Sequence, residues 1–180
     1  MKRYILTGTP GSGKTAILRQ LEIDGYDVIE EAATDVIALQ RARNVAEPWQ
    51  DSSFIEAIAS LQRTRQLQAS NLSREIQFHD RSPVCTYALA TYLGFSISDV
   101  LADEMERIER DRIFQREVLF IQNLGSVTRT DARRISYEDA LRFERIHEET
   151  YRAFGYELIP IPPGTLRDRT DLIRRFIRDR

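Results

Sequence analysis

Gly8-Thr9-Pro10-Gly11-Ser12-Gly13-Lys14-Thr15 is the stretch whose residue types and spacing carry the most legible chemistry. It fits G-x-x-x-x-G-K-[ST], in which glycines let a backbone wrap an anion while successive N–H groups face it. Lys14 supplies a mobile charge for the β- and γ-phosphates of a nucleotide, and the Thr15 hydroxyl is a ligand for Mg²⁺. The only other lysine is Lys2; every remaining basic residue, the two histidines aside, is arginine. ATP is the expected nucleotide, with GTP left open, because an Asn/Thr-Lys-x-Asp guanine motif is absent.

Phosphoryl transfer needs neutralised phosphates, a bridging metal and an aligned acceptor rather than much covalent work by the protein. Further residues fit those tasks. Asp80 ends the alternating run Arg74–Asp80 and is the candidate second metal ligand beside Thr15. Arg81, its neighbour, is suited to bridge donor and acceptor, and Arg129, Arg133 and Arg134 fall in a polar stretch, 123–135, expected to form a lid over the transferring group. Glu31 is the candidate general base for an acceptor hydroxyl, with Glu30 as the alternative. Trp49 suits either an acceptor ring or core packing, and His79 reads as packing. Cys85 reads as a buried helix residue without a paired histidine, His147 being distant in sequence.

The elements that must position these groups follow from periodicity. Arg3–Thr7 is a short, mostly apolar strand of the kind buried on both faces, and Ala16, Ile17, Leu18 and Leu21 give the P-loop helix a period that stops at Gly25. Tyr26–Ile29 is a second strand with Glu30 and Glu31 at its end, followed by a helix from Ala32 to about Asn44. Ser53-Phe54-Ile55-Glu56 predicts a capping box for a helix to about Ser70, whose Gln62, Arg63, Arg65 and Gln66 read mostly as a solvated face. Pro83 starts a helix that Gly94 ends. In the helix from Ser98 to Asp111, Leu101, Met105 and Ile108 face inward and Glu104, Glu106, Arg107, Glu109 and Arg110 face largely outward. Glu117–Gln122 is the clearest strand. A capping box at Ser136–Asp139 then predicts a helix with Ala140, Phe143, Ile146, Thr150 and Phe154 inward, and a strand over Tyr156–Ile161 follows. Thr165-Leu166-Arg167-Asp168 predicts a capped last helix.

Strands alternating with helices define an α/β fold, here a three-layer α/β/α P-loop architecture with a parallel sheet of about five strands and the P-loop strand at its centre. A length of 180 residues, 42% of them apolar and 30% charged, fits one nucleotide-binding domain over 1–180. A net charge of −2 gives no basic field for nucleic acid, and no apolar run approaches a membrane span. One cysteine and no leader-like N-terminus fit the cytoplasm. Oligomeric state leaves no signature in the sequence.

The order of motifs is familiar. The P-loop, Glu31-Ala32-Ala33, Phe78-His79-Asp80-Arg81-Ser82, an arginine loop and Phe154-Gly155-Tyr156 leading to Ile161-Pro162 together resemble a family of AAA-type ATPases related to the kinase domain of NadR-like nicotinamide riboside kinases. Asp80-Arg81-Ser82 is also similar to the Asp/Glu-Arg-Ser motif of deoxyribonucleoside kinases. That likeness implies metal and phosphate contacts for Asp80 and Arg81 and a base role for Glu31. Thr34 stands where the NadR-like kinases carry arginine, which counts against nicotinamide riboside as the acceptor. There is no Asp-Glu Walker B pair of the kind found in ring-forming motors. The expected function is Mg²⁺-dependent phosphoryl transfer from ATP to a hydroxyl of a nucleoside-like small molecule. The alternative is a nucleotide-dependent switch or slow NTPase that controls a partner or binds a lipid ligand.

Overall fold

A computed structural model of the chain describes residues 1–8, 11–72, 74–124 and 137–180, with Tyr137, Glu138 and Ala140 as backbone only. The strands are β1 (Lys2–Thr7), β2 (Asp27–Ile29), β3 (Ile76–Asp80), β4 (Glu117–Ile121) and β5 (Glu157–Ile161). They pair in parallel in the order β2-β3-β1-β4-β5, so β1 is central as its apolar sequence requires. The helices are α1 (Lys14–Ile23), α2 (Ala32–Ala42), α3 (Ser53–Ala69), α4 (Pro83–Leu93), α5 (Asp99–Arg110), α6 (Tyr137–Ala153) and α7 (Leu166–Arg178). None of them is long and apolar enough to cross a membrane.

Alternation along the strands splits the core in two. Tyr4 and Leu6 of β1, Phe78 of β3, and Leu119 and Ile121 of β4 pack with Ile17, Leu18 and Leu21 of α1 and Ile173 and Ile177 of α7. Ile5 and Val118 point the other way, into a larger cluster formed by α2 to α6. The three-layer α/β/α architecture follows from these two faces.

Local chemistry departs from the sequence pattern at three places. The capping box at Ser53 does not form; Ser52 is the N-cap of α3 without a side-chain bond, and Asp51 Oδ1 instead accepts from the Ser53 N–H at 2.8 Å. An acidic residue one step further out satisfies the same orphan donor. In α5, Glu104 and Arg107 are buried rather than outward, at 2% and 8% exposure. Arg107 donates twice to Glu104, each at 2.7 Å, and once to the buried Gln66 Oε1 at 2.8 Å, so the charges enter the interface as a closed set. Gln66 is thereby removed from the solvated face expected for α3. In α6 the inward stripe is Phe143, His147, Thr150 and Tyr151, while Ile146 and Phe154 are half-buried. The Thr165 cap of α7 does form, accepting from Asp168 N at 3.1 Å.

Candidate functional site

The carboxyl edge of the sheet carries the site, and register decides who meets whom. Leu6 of β1 pairs with Asp80 of β3, which puts Asp80 two residues from the opening glycine of the P-loop. Asp80 shares strand parity with Phe78 and so leaves the sheet on the α1 side, whereas His79 goes to the opposite face and packs edge-on against Phe114 at 5.0 Å. Burial, helped by the charge of Arg3, lowers the His79 pKa to about 3. Its Nε2 has no partner among the described residues.

The loop from β1 to α1 is closed by geometry that tolerates no side chain at its first glycine. Gly8 has φ +148°, and a Cβ there would sit 2.4 Å from the Ile121 carbonyl oxygen at the end of β4. Gly13, the αL N-cap of α1, has φ +83°. No acidic residue occupies the first turn of α1, so its N-terminal amides carry an uncompensated positive potential. Thr9 and Pro10 of the loop lie outside the described residues, as do Arg129, Arg133, Arg134 and the expected capping box at Ser136.

Lys14 is buried and forms an ion pair with Asp80. Burial raises the Asp80 pKa, with Lys14 opposing and the nearby Glu31 reinforcing the rise. Arg81 follows immediately, held at φ +70°, a conformation uncommon for a residue with a side chain. Its N–H donates to the Leu6 carbonyl at 3.0 Å and continues the ladder between β1 and β3. The guanidinium turns to Glu31, donating from Nε to Oε1 at 2.5 Å.

Glu31 is fixed from three directions. Thr34 donates to its second carboxylate oxygen at 2.7 Å, and Arg65 of α3 donates to the Glu30 and Glu31 carbonyls at 3.1 and 2.6 Å. Desolvation would raise its pKa, but the charges of Arg81 and Lys14 and the bonds from Thr34 and Arg81 outweigh it and bring it to about 2. Glu30 is exposed and paired with Arg19. Of the two candidate bases, Glu31 is therefore the one that joins Lys14, Asp80 and Arg81.

Two cavities meet at Glu31. One, of about 310 Å³, is walled by Thr15, Leu18, Arg19, Val28, Glu30, Glu31, Thr34, Asp35 and Asp80. The other, of about 110 Å³, lies behind Arg81 and is walled by Glu31, Ala33, Ile58, Gln62, Arg81, Cys85, Thr86, Leu89 and Phe143. Gln62, from the helix face expected near an acceptor, accepts from the Thr86 hydroxyl at 2.8 Å. Trp49 lines neither cavity and packs against the larger core cluster with Arg41 over its ring at 5.7 Å.

Sequence reasoning missed two groups here. Cys85 does have a histidine nearby: burial raises its pKa, yet His147, on the α6 stripe of Phe143, His147 and Tyr151, helps lower it to about 6, while the contacts at the sulfur itself are Thr7 Oγ1 at 3.2 Å and Tyr151 Oη at 2.9 Å. Arg169 of α7 is buried, donating to the Ser12 carbonyl at 2.6 Å and the Gln122 carbonyl at 3.1 Å. Its spacing of four from the buried Ile173 and of eight from the buried Ile177 was the available signal.

A P-loop at the end of a central parallel strand, with an acidic-basic pair on the adjacent strand end, defines the P-loop class. A family model described as an AAA domain matches residues 3–169, and the chain belongs to that family. Among solved structures the chain is similar to deoxyadenosine kinase from M. mycoides in three forms. With the products dCMP and a flexible dCDP, identity is 14%, coverage 99% of this chain and 100% of that one, and the TM-score 0.65. With dATP the corresponding values are 14%, 98%, 99% and 0.60. With dCTP they are 15%, 100%, 100% and 0.59. No curated protein matches. At this identity the likeness establishes a kinase-like P-loop fold.

Proposed function

We propose that the chain is a Mg²⁺-dependent small-molecule kinase that transfers the γ-phosphoryl group of ATP, or less favourably GTP, to a hydroxyl of a nucleoside-like acceptor. The observation that carries this reading is the position of Glu31 in the common wall of the two cavities. A switch or simple NTPase has no need of a second cavity behind the metal and phosphate side; a phosphotransferase must seat an acceptor there.

In this reading 1–180 is one nucleotide-binding unit, with 123–135 as its lid. Gly8, Thr9, Pro10, Gly11, Ser12, Gly13, Lys14 and Thr15 hold the donor phosphates, with Lys14 leaving Asp80 to meet them. Asp80 and Thr15 fit a metal: both are hard oxygen donors on the wall of the larger cavity, as Mg²⁺ requires. When bound, the ion supplies charge neutralisation across the donor phosphates. Arg81 spans from Glu31 to His147 Nε2, 3.4 Å from its Nη1, and meets charge developing between donor and acceptor. Glu31, ionised throughout the neutral range, takes the hydrogen bond and then the proton of the acceptor hydroxyl. Ile58, Leu89 and Phe143 give the smaller cavity apolar walls for a ring, and Gln62 and Thr86 give it a polar end. Arg129, Arg133 and Arg134 act from the lid. No contact with nucleic acid is involved, and the cytoplasm is the compartment that supplies the nucleotide.

The test is ATP consumption by the purified chain with Mg²⁺, alone and against nucleosides, ribosides and other small alcohols, with product identified by mass. Acceptor-dependent phosphorylated product is expected. Slow hydrolysis indifferent to every acceptor would overturn the kinase and favour the switch.

A further inference from the structure

Arg169 of α7 is 4% exposed, yet no step of phosphoryl transfer described above uses it. Its two outer nitrogens are committed to backbone carbonyls of different segments: Nη1 donates to Ser12, inside the P-loop, at 2.6 Å, and Nη2 to Gln122, the residue after β4, at 3.1 Å. No described carboxylate pairs with it, and burial lowers its pKa unopposed. Its Nε is buried without a partner among the described residues. A guanidinium placed in this way is costly on its own and favourable beside an anion.

The contact with Ser12 also has a directional consequence. In a trans peptide the C=O and the following N–H point opposite ways, so the direction of each carbonyl fixes that of the next amide. The Ser12 carbonyl turns to Arg169, which aims the Gly13 N–H away from α7. The Gly13 carbonyl in turn accepts from the Ile17 N–H at 3.3 Å, which leaves the Lys14 N–H pointing out of the start of α1. Arg169 packs directly behind this turn: a Cβ on Gly13 would lie 3.1 Å from its Nη1. Ser12 Oγ is buried without a partner among the described residues, so Ser12 is tied to α7 through its carbonyl.

We infer that Arg169 is a positioning residue of the phosphate cradle: it holds the Ser12 carbonyl from behind, so that the Gly13 N–H is presented to the nucleotide's phosphates, and its unpaired charge adds to their attraction. The inference rests on the P-loop holding those phosphates, as proposed above. Through Gln122 the same guanidinium ties the loop to the end of β4, so the cradle is braced against the sheet as well as against α7.

The full chain and its variants are titrated by calorimetry with ATP and with inorganic tripolyphosphate, both without Mg²⁺. Arg169→Met, similar in length and uncharged, is expected to weaken both by about 10- to 100-fold, the effect of losing a hydrogen-bonded charge. Arg169→Lys keeps the charge but cannot span two carbonyls, and is expected to fall between, at about 3- to 10-fold. In proton–nitrogen correlation spectra the Gly13 amide proton of wild type should move downfield as tripolyphosphate binds, and should move far less in Arg169→Met at saturation. A role in packing alone would leave that bound shift unchanged. Weakening of less than about threefold, or an undiminished Gly13 shift, overturns the inference and leaves the P-loop assignment in place. Should Arg169→Met not fold, Arg169→Lys is held to the same two limits. Wild type that binds neither probe overturns the phosphate reading itself, and this inference with it.

Discussion

Glu31 is held by Arg81 and Thr34 through its side chain and by Arg65 through its backbone, so its conversion to glutamine removes a charge while leaving most of the positioning contacts in place. Glu31→Gln is therefore expected to lower acceptor phosphorylation by about 10² to 10⁴-fold while nucleotide affinity changes by less than about threefold, measured by turnover and by titration calorimetry. The pKa of about 2 also makes Glu31 a stabilising group above the ordinary carboxylate range, a contribution lost as pH falls from about 4.5 through about 2. His79 acts in a higher window. Its pKa of about 3 means that the unfolded chain binds a proton below about pH 6.5 that the folded one refuses, so stability falls as pH drops through this range. Replacing it with phenylalanine, which matches the ring of Phe114, is expected to cut the loss between pH 7 and pH 5 by about 2 kcal/mol in urea titrations. Equal losses in both proteins would show that His79 is not the acid-sensitive group.

At the scale of elements, charges at helix interfaces decide more than the apolar stripes do. The amphipathic pattern of α5 correctly located Leu101, Met105 and Ile108, yet the helix also carries Glu104 and Arg107 into the core, where Gln66 of α3 completes their bonding. Breaking such a pair strands a buried charge. Glu104→Ala is expected to destabilise the fold by about 3 to 5 kcal/mol, and Glu104→Ala combined with Arg107→Met by less than the single change, in a double-mutant cycle of urea midpoints. Helix starts show the same principle on a smaller scale. The motif at Thr165 caps α7 through the Asp168 N–H, whereas the similar signature at Ser53 forms no such bond and Asp51 takes the Ser53 N–H instead. A short motif records which side chains can cap, while the path of the incoming chain selects the one that does.

Across the whole molecule, binding is linked to stability through ion pairs that close on each other. Lys14 rests on Asp80 and Arg81 on Glu31, so phosphates must draw both cations away from carboxylates that burial keeps close. Nucleotide with Mg²⁺ at about 100 times its dissociation constant is expected to add about 2.7 kcal/mol, a rise of about 5 to 10 °C in unfolding temperature. Lys14→Ala should abolish most of that rise in differential scanning fluorimetry. An undiminished rise in the variant would sink the phosphate role of Lys14.

Much of this molecule was readable before any fold was drawn. The P-loop announces itself because a phosphate cradle demands glycines and a lysine at fixed local spacing, and β4 because an inner parallel strand must be apolar on both faces. Asp80 and Arg81 were likewise local, set at the end of a strand. What the chain order could not contain was partnership across the sheet and between helices. That Glu31 rather than Glu30 turns to Arg81, that Cys85 meets Tyr151, and that Arg169 buries itself against the P-loop all depend on groups about 50 to 157 residues apart. Hydrophobic periodicity specifies which face of an element goes inward. Which polar groups then find one another, and so which charges and pKa values the site holds, is settled only by the packing of those faces in three dimensions.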